Sequence, residues 1–558
     1  MIRSVAVVQA AFGVALACLS MSCTAPAPAP AAVPAPADSP VVPKVQRLVM
    51  AAPFTLAVDT NDTGAMVESD LWILRPMYES LIGVDPATGK GYPMLATGWA
   101  LEPDGKSFRF KLRNGVQFHQ GRGEFTGKDL VAMAASRVRD EFQHGIANYW
   151  RAVLEKVEVV NDYEVVYRLK SPDGNFIFPY ISDQSGSMQV WSKADFDKTG
   201  YPTMQSGPLA GTGPYQYVAR AQSQFLRYER APTKHWRTTP DFPEFEFRWI
   251  KEPSTRLAAL LAGEVQVTTL PEDLLAEAQK QGQQVTRGKV PAARTFLTFM
   301  CCFLNNVQDP SQGYMFPTSP LADPRVRRAL SKAIDRAPLN KAFFGGKADL
   351  LYLQSFDPTR LGWNPEWEKR FAEKYGYDQA KARALLAEAG YTAGNPLKTN
   401  LFLSDASGVA ASGDLIEAIA AQWRAAGVDV TLVPMDPTQI ATGSRTFKFS
   451  NHIQLRGTSA DLWVGAINFG SRRSVRGGGV ELPEYEPFID EIARTPDEKK
   501  QDELWRKTGE IRYNAYHTAP LFRLPVEATF NPKVVSEWTL PGSLSGNWTH
   551  VEYIKAAR

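Results

Sequence analysis

The chain has 558 residues, more than one compact core normally organises, which predicts at least two lobes. Hydrophobic residues make up 44% and charged residues 22%, the composition of an ordinary globular body, and no internal apolar run reaches the length of a membrane span. The formal net charge is +3, with basic and acidic residues interleaved, so no basic stripe points to nucleic acid.

At the N-terminus, Arg3 precedes a run from Val5 to Ser20 dominated by apolar and small residues. Charge followed by an apolar stretch predicts an export signal over residues 1–23. Residues 24–43 are rich in alternating Ala and Pro. They cannot bury a core and predict an extended leash, which at about 3.1 Å per residue would reach roughly 60 Å. A cysteine followed by such a tether resembles a bacterial lipoprotein, with Cys23 as the lipidated residue and a membrane anchor as the consequence. Leu19 stands one place earlier than that motif has it, so plain cleavage and release of the body is the alternative.

Beyond the leash, strand-like and helical segments alternate without a fixed repeat, which predicts mixed α/β lobes. In Val157–Leu169, apolar residues flank Asn161-Asp162, the pattern of two short strands meeting at a turn. Gly211-Thr212-Gly213-Pro214 suits a tight passage where backbone approaches backbone, with Tyr215 opening a strand. Asp323-Pro324 predicts a helix start, with Val326, Leu330 and Ile334 on its inner face, and a further helix is expected from Asp378 to Gly390. Ser412 is expected to cap a helix bearing Leu415, Ile416, Ile419, Ala420 and Trp423, ended by Gly427 and followed by a strand over residues 428–432.

Four cysteines are present. Cys18 and Cys23 belong to the signal region, while Cys301 and Cys302 are adjacent. Adjacent cysteines make a poor disulfide pair, so these two are expected to be buried thiols. His119 is expected to be a hydrogen-bonded scaffold residue, because no His/Cys cluster stands at metal-ligand spacing. The six histidines are scattered and no Gly-x-Ser-x-Gly elbow occurs, which weakens a hydrolase reading.

A series of motifs now falls in order: Tyr78-Glu79-Ser80-Leu81; Pro93-Met94-Leu95-Ala96 with Trp99; Asp104-Gly105; Gly115 to Gly121 and Phe125 to Asp129; Gly211 to Tyr215; Arg256 to Glu264; Asp323 to Arg336; and Lys381 to Tyr391. This set resembles the family 5 extracellular solute-binding proteins, the peptide-, dipeptide- and nickel-binding components of ABC importers, over most of residues 50–530. The resemblance implies a two-lobed α/β periplasmic-binding-protein fold with a large, discontinuous first lobe and a hinge between the lobes. It places lobe 1 at residues 44–290 plus 525–558 and lobe 2 at 291–524. It further implies a periplasmic monomer that captures a small molecule or peptide for a permease and ATPase complex, without a cofactor, metal or catalytic residue. A ligand-sensing or chaperone-like lipoprotein of the same fold is the alternative.

Peptide binders of this family receive the ligand's ammonium group on an aspartate of the second lobe. Asp461, in Ser459-Ala460-Asp461-Leu462-Trp463, best fits that place; capping a turn is its other possible role. Trp463 would supply an aromatic shelf, Arg456 an anion contact, and Arg472, Arg473 and Arg476 either a second anion contact or a solvated loop. Asn61 and Asp62, within Asp59–Thr63, fit a polar wall from lobe 1 or a simple turn. Cys301 and Cys302 stand where relatives often carry Asn-Thr, so either packs internally or meets an apolar part of the ligand. The Asp-Pro or Glu-Pro pair common after the aspartate is missing, and Ser404–Gly408 lacks the arginine that dipeptide binders place there. These departures favour a longer peptide, a modified amine or another small molecule over an ordinary dipeptide.

Overall fold

In the computed structural model the described residues are 43–52, 59–66, 68–140, 142, 147–173, 176–177, 181–183, 189–306, 309–406, 409, 411–458, 462–469, 479–495, 497–540 and 550–558. The signal, the leash with Cys23, Asp461, and the loop carrying Arg472, Arg473 and Arg476 lie outside them.

The main sheet has 11 strands and is organised around two long ones, Gln284–Met300 and Thr518–Phe530, which run antiparallel side by side. On one side, the end of Thr518–Phe530 pairs with Val267–Thr268, which continues through Arg47–Ala52, Glu244–Trp249, Phe225–Arg230 and Tyr215–Ala221. On the other, Arg294–Met300 pairs with His452–Thr458, followed by Lys398–Leu403 and Asp429–Pro434. The long pair therefore serves two arms of one sheet. Its ladder is irregular between Arg287 and Ala293, where Pro291 stands opposite Pro525. Neither proline has an N–H to give, so cross-strand bonding weakens where the arms meet.

A smaller four-stranded sheet holds Leu154–Asn161 and Glu164–Leu169 as an antiparallel hairpin, with Tyr163 N–H donating to Asn161 Oδ1 at 2.9 Å. Helix Pro324–Lys332 is capped by Asp323, which accepts from Arg325 N at 2.8 Å; Val326 and Leu330 are buried on it, while Ile334 is buried just beyond its end. Helix Gln379–Glu388 is capped by Asp378. Helix Ser412–Ala425 buries Leu415, Ile416, Ile419, Ala420 and Trp423, and Gly427 at φ 92° turns the chain into strand Asp429–Pro434. Ser412, expected as its cap, is instead its first residue. Its hydroxyl accepts from Ala406 N at 3.0 Å and donates to Val409 O at 2.7 Å, pinning the preceding loop and leaving nothing for the helix end.

The buried-thiol expectation for Cys301 and Cys302 is also corrected: the two form a disulfide between adjacent residues, 0% and 1% exposed. Both lie past the strand end at Met300, beyond the sheet ladder, and Cys302 O accepts from Glu481 N at 3.0 Å. The constraint that makes an adjacent bridge unfavourable in a strand is therefore absent.

Candidate functional site

The loop from Asp59 to Thr63 is braced by its own half of the chain. Asn61 is fully buried; its amide donates to Thr203 O at 3.0 Å and its carbonyl accepts from Arg220 Nη1 at 2.9 Å. Asp62 accepts from Gly64 N and from Arg139 Nη2, both at 2.8 Å, and Asp59 pairs with Arg220. Beneath lies a cavity of about 10 Å³ bordered by Asn61, Asp62, Tyr78, Ser136 and Tyr201. That is room for about one water. The polar groups of Asn61 and Asp62 thus hold a turn in place, and any ligand contact from them would share these partners.

A second polar centre sits behind the Gly211–Pro214 passage. A Cβ on Gly211 would fall 2.0 Å from Met77 O, and one on Gly213 2.5 Å from Pro76 O, so only glycine lets the two segments touch. His119 Nε2 donates to Gly213 O at 2.8 Å, and burial pushes its pKa down to about 4, so the ring is neutral at pH 7. Close by, Glu79 has no exposed side-chain surface and accepts from Thr212 Oγ1 at 3.0 Å, His235 Nε2 at 3.3 Å, Trp236 Nε1 at 3.1 Å and Arg237 Nε at 3.2 Å. Burial alone would raise its pKa; the His235, Arg237 and Trp236 donors outweigh this and hold the carboxyl at about 2. Arg237 also meets Glu552 and the Tyr553 hydroxyl, each at 2.7 Å, and Asp241 accepts from Ala556 N at 2.9 Å. The C-terminal residues are thereby fastened to the Arg47–Trp249 arm.

The second half carries the other candidates. Arg456 stands opposite Phe296 and Gln454 opposite Thr298, so these four share one sheet face. Trp463, on helix Leu462–Phe469, is buried and meets Trp505 edge-on at 6.4 Å. Gly465 of that helix lies so near Ser355 that a Cβ would fall 1.9 Å from its hydroxyl oxygen, and Ser355 itself is held at φ 70°. At the crossing of the long strands, buried Arg294 donates to Asp357 Oδ2 through two nitrogens, at 3.0 and 2.6 Å, and Arg523 reaches Asp357 Oδ1 at 3.3 Å. Among the described residues no group of three or more His, Cys, Asp or Glu side chains forms a metal site, and no helix is long and apolar enough to cross a membrane.

The model of the bacterial extracellular solute-binding proteins, family 5, matches residues 90–470. The chain belongs to this family. Two curated solute-binding proteins are similar to it. The dipeptide-binding protein of Escherichia coli is 25% identical over 480 residues, covering 82% of this chain and 85% of that protein. Di/tripeptide-binding protein 2 of Pseudomonas aeruginosa is 25% identical over 358 residues, covering 60% of this chain and 61% of that protein. Against the latter, the chain spans about three fifths of the relative's length. The crystal structure of a dipeptide-binding protein from Pseudoalteromonas in complex with Met-Leu superimposes with a TM-score of 0.71 at 20% identity, covering 88% of this chain and 96% of that one. The fold is thus the two-lobed one of periplasmic binding proteins. Within this solute-binding fold, sequence motifs located Glu79 without revealing its role, and they passed over Arg512, a buried cation seven residues after Trp505 on helix Glu498–Asn514.

Proposed function

We propose that this family 5 protein is the ligand-capturing component of an ABC importer, closing two lobes over a peptide or an amine-bearing small molecule and delivering it to a permease and ATPase complex. The observation that carries this reading is the family match over residues 90–470. The interrupted ladder at Pro291 and Pro525 supports it as a place where two arms can bend. Closure must be driven by contacts the ligand makes only in the closed form. In this reading Asp461 receives the cationic end of the ligand, Trp463 and Arg456 border it, and the protein works as a binder without turnover. Cys23 carries lipid that holds the mature protein at a membrane facing the periplasm. Small-angle scattering with a mixed di- and tripeptide library tests capture: the radius of gyration should fall on saturation, and an unchanged profile with no ligand retained in native mass spectrometry overturns it. If Asp461 takes the amine, Asp461→Asn should weaken binding by roughly 30-fold or more, because one partner of a desolvated ion pair is lost. For the anchor, wild type should partition into detergent and Cys23→Ala into water; aqueous partitioning of both removes it.

A further inference from the structure

Helix Glu498–Asn514 turns Leu504, Trp505, Thr508, Gly509, Arg512 and Tyr513 inward. Arg512 breaks this otherwise uncharged stripe. It is 0% exposed, and among the described residues its hydrogen-bonding side chain is the Tyr485 phenol, with no carboxylate or carbonyl taking its guanidinium nitrogens. The nearby buried arginines are placed differently. Arg294 grips Asp357, Arg327 donates to the carbonyls of Leu321, Ala322, Ala515 and Tyr516, and Arg336 donates to Pro520, Tyr375 and Ser331. Around Arg512 stand the buried phenol of Tyr485, which accepts from the guanidinium, the phenol of Tyr375, and the Phe356 ring at 6.0 Å. Burial pushes the guanidinium's pKa down, yet it remains a cation at neutral pH. A buried guanidinium whose described neighbours are phenols and an aromatic ring is strongly unfavourable, and the negative end of its own helix offsets only part of that.

The position of Arg512 connects it to the candidate site. Phe356 packs against Trp505, Trp505 against Trp463, and Gln354 and Ser355, just before Phe356, abut Gly465 on the Trp463 helix. Gln354 is itself fully buried, with its carbonyl oxygen unpartnered among the described residues. We propose that Arg512, with the Tyr485 hydroxyl as second donor, is the receptor for a carboxylate of the captured solute. A planar guanidinium can donate two parallel bonds to a carboxylate, and in a site without water such bonds are strong. The assignment rests on the solute-capture reading above and narrows it to ligands bearing an acid group. Full burial makes exchange depend on opening of the segment around Tyr485.

The test is thermal unfolding of ligand-free wild type, Arg512→Met and Tyr485→Phe, titrated with sodium acetate against sodium chloride at matched ionic strength. Wild type should be stabilised saturably by acetate, Tyr485→Phe less so, and Arg512→Met not at all, while Arg512→Met without acetate melts no lower than wild type. An Arg512→Met protein that fails to fold or melts lower, or an acetate response equal in all three, overturns the proposal and makes Arg512 a structural partner of its helix end; phosphate acting where acetate does not also overturns it. A second arm compares di- and tripeptides as free acids and as C-terminal amides. Free acids should bind wild type about 30-fold or more tightly than they bind Arg512→Met. Acids and amides binding both proteins equally leaves peptide capture standing and removes the subsite. Peptides that do nothing, beside an acetate effect that needs Arg512, remove the peptide reading and keep the subsite.

Discussion

Glu79 and Arg512 are both charged, both buried and both fixed by well-packed elements, yet their surroundings are opposite. Glu79 collects four side-chain donors, and its main cationic partner Arg237 is shared with Glu552. Arg512 meets phenols and a phenyl ring. A buried charge surrounded by complementary groups is a joint, and removing it leaves its partners stranded; a buried charge without them gains most from a partner that arrives later. Burial alone therefore does not separate architecture from function in this molecule, whereas the census of partners does.

The sharpest way to break that contrast is to neutralise the joint. Glu79→Leu should leave Arg237 with Glu552 alone and strand the Thr212, His235 and Trp236 donors, costing about 3 to 5 kcal/mol in chemical denaturation, the usual cost of breaking a buried ion pair. A loss under 1 kcal/mol would mean that the cluster does not brace this arm of the sheet. The Arg294–Asp357–Arg523 cluster supplies a second joint at the strand crossing, and Asp357→Asn should cost a comparable but smaller amount, because an amide oxygen can still accept from one arginine.

Acid provides a graded version of the same comparison. The Glu79 carboxyl titrates at about 2 in the fold against an ordinary 4.5, so its contribution is fully present above about 4.5 and is lost as pH falls toward 2. That difference corresponds to on the order of 3 kcal/mol. His119 acts in a higher window. Its folded pKa of about 4 lies below the ordinary 6.5, the unfolded chain binds the proton first, and stability falls as pH drops from 6.5 toward 4. Burial holds His550 at about 4 as well, so stability curves measured from pH 7 to pH 3 should descend in two stages with both histidines in the upper one, and His119→Gln should remove its own share, at most about 3 kcal/mol. An unaltered upper stage in the variant would reassign it to another group.

The contrast also explains what the sequence could convey. Motifs that are local in the chain were legible: Gly211 and Gly213 marked a backbone passage, Asn161 a hairpin turn, Asp323 a helix cap and Asp378 the beginning of a helix. Ser412 misled because a hydroxyl before a helix suits a cap equally well whether or not the preceding loop claims it first. Cys301 and Cys302 misled because adjacent cysteines seldom meet the Cα and Cβ geometry of a bridge, yet past the strand end at Met300 the backbone is released from the alternation that sends successive side chains to opposite faces. Glu79 stood in a recognised motif, but its partners at 212 and 235–237, and the Glu552 that shares Arg237, are distant in sequence, so its charge environment existed only in three dimensions. Arg512 did leave one trace. Helical spacing places it on the face of Trp505, Thr508 and Gly509, where a charge is out of place, and that anomaly was available before any coordinates.

The smallest expected effect concerns the place where the two regions join. Pro291 and Pro525 face each other in the long-strand ladder, and each lacks the N–H that would otherwise be available for cross-strand bonding. Pro291→Ala restores a donor and also loosens the unfolded chain; the second effect alone lowers stability by about 0.4 to 1 kcal/mol. The net change in melting should therefore be slight, while the crossing stiffens. If this junction is where the lobes bend, the variant should close less completely on a bound solute, giving a smaller fall in the radius of gyration and a slower association rate, with the Glu79 and Arg294 joints intact by denaturation. Closure and kinetics identical to wild type would place the bend elsewhere along the two strands, and a large loss of stability would show that the proline pair braces the crossing instead of easing it.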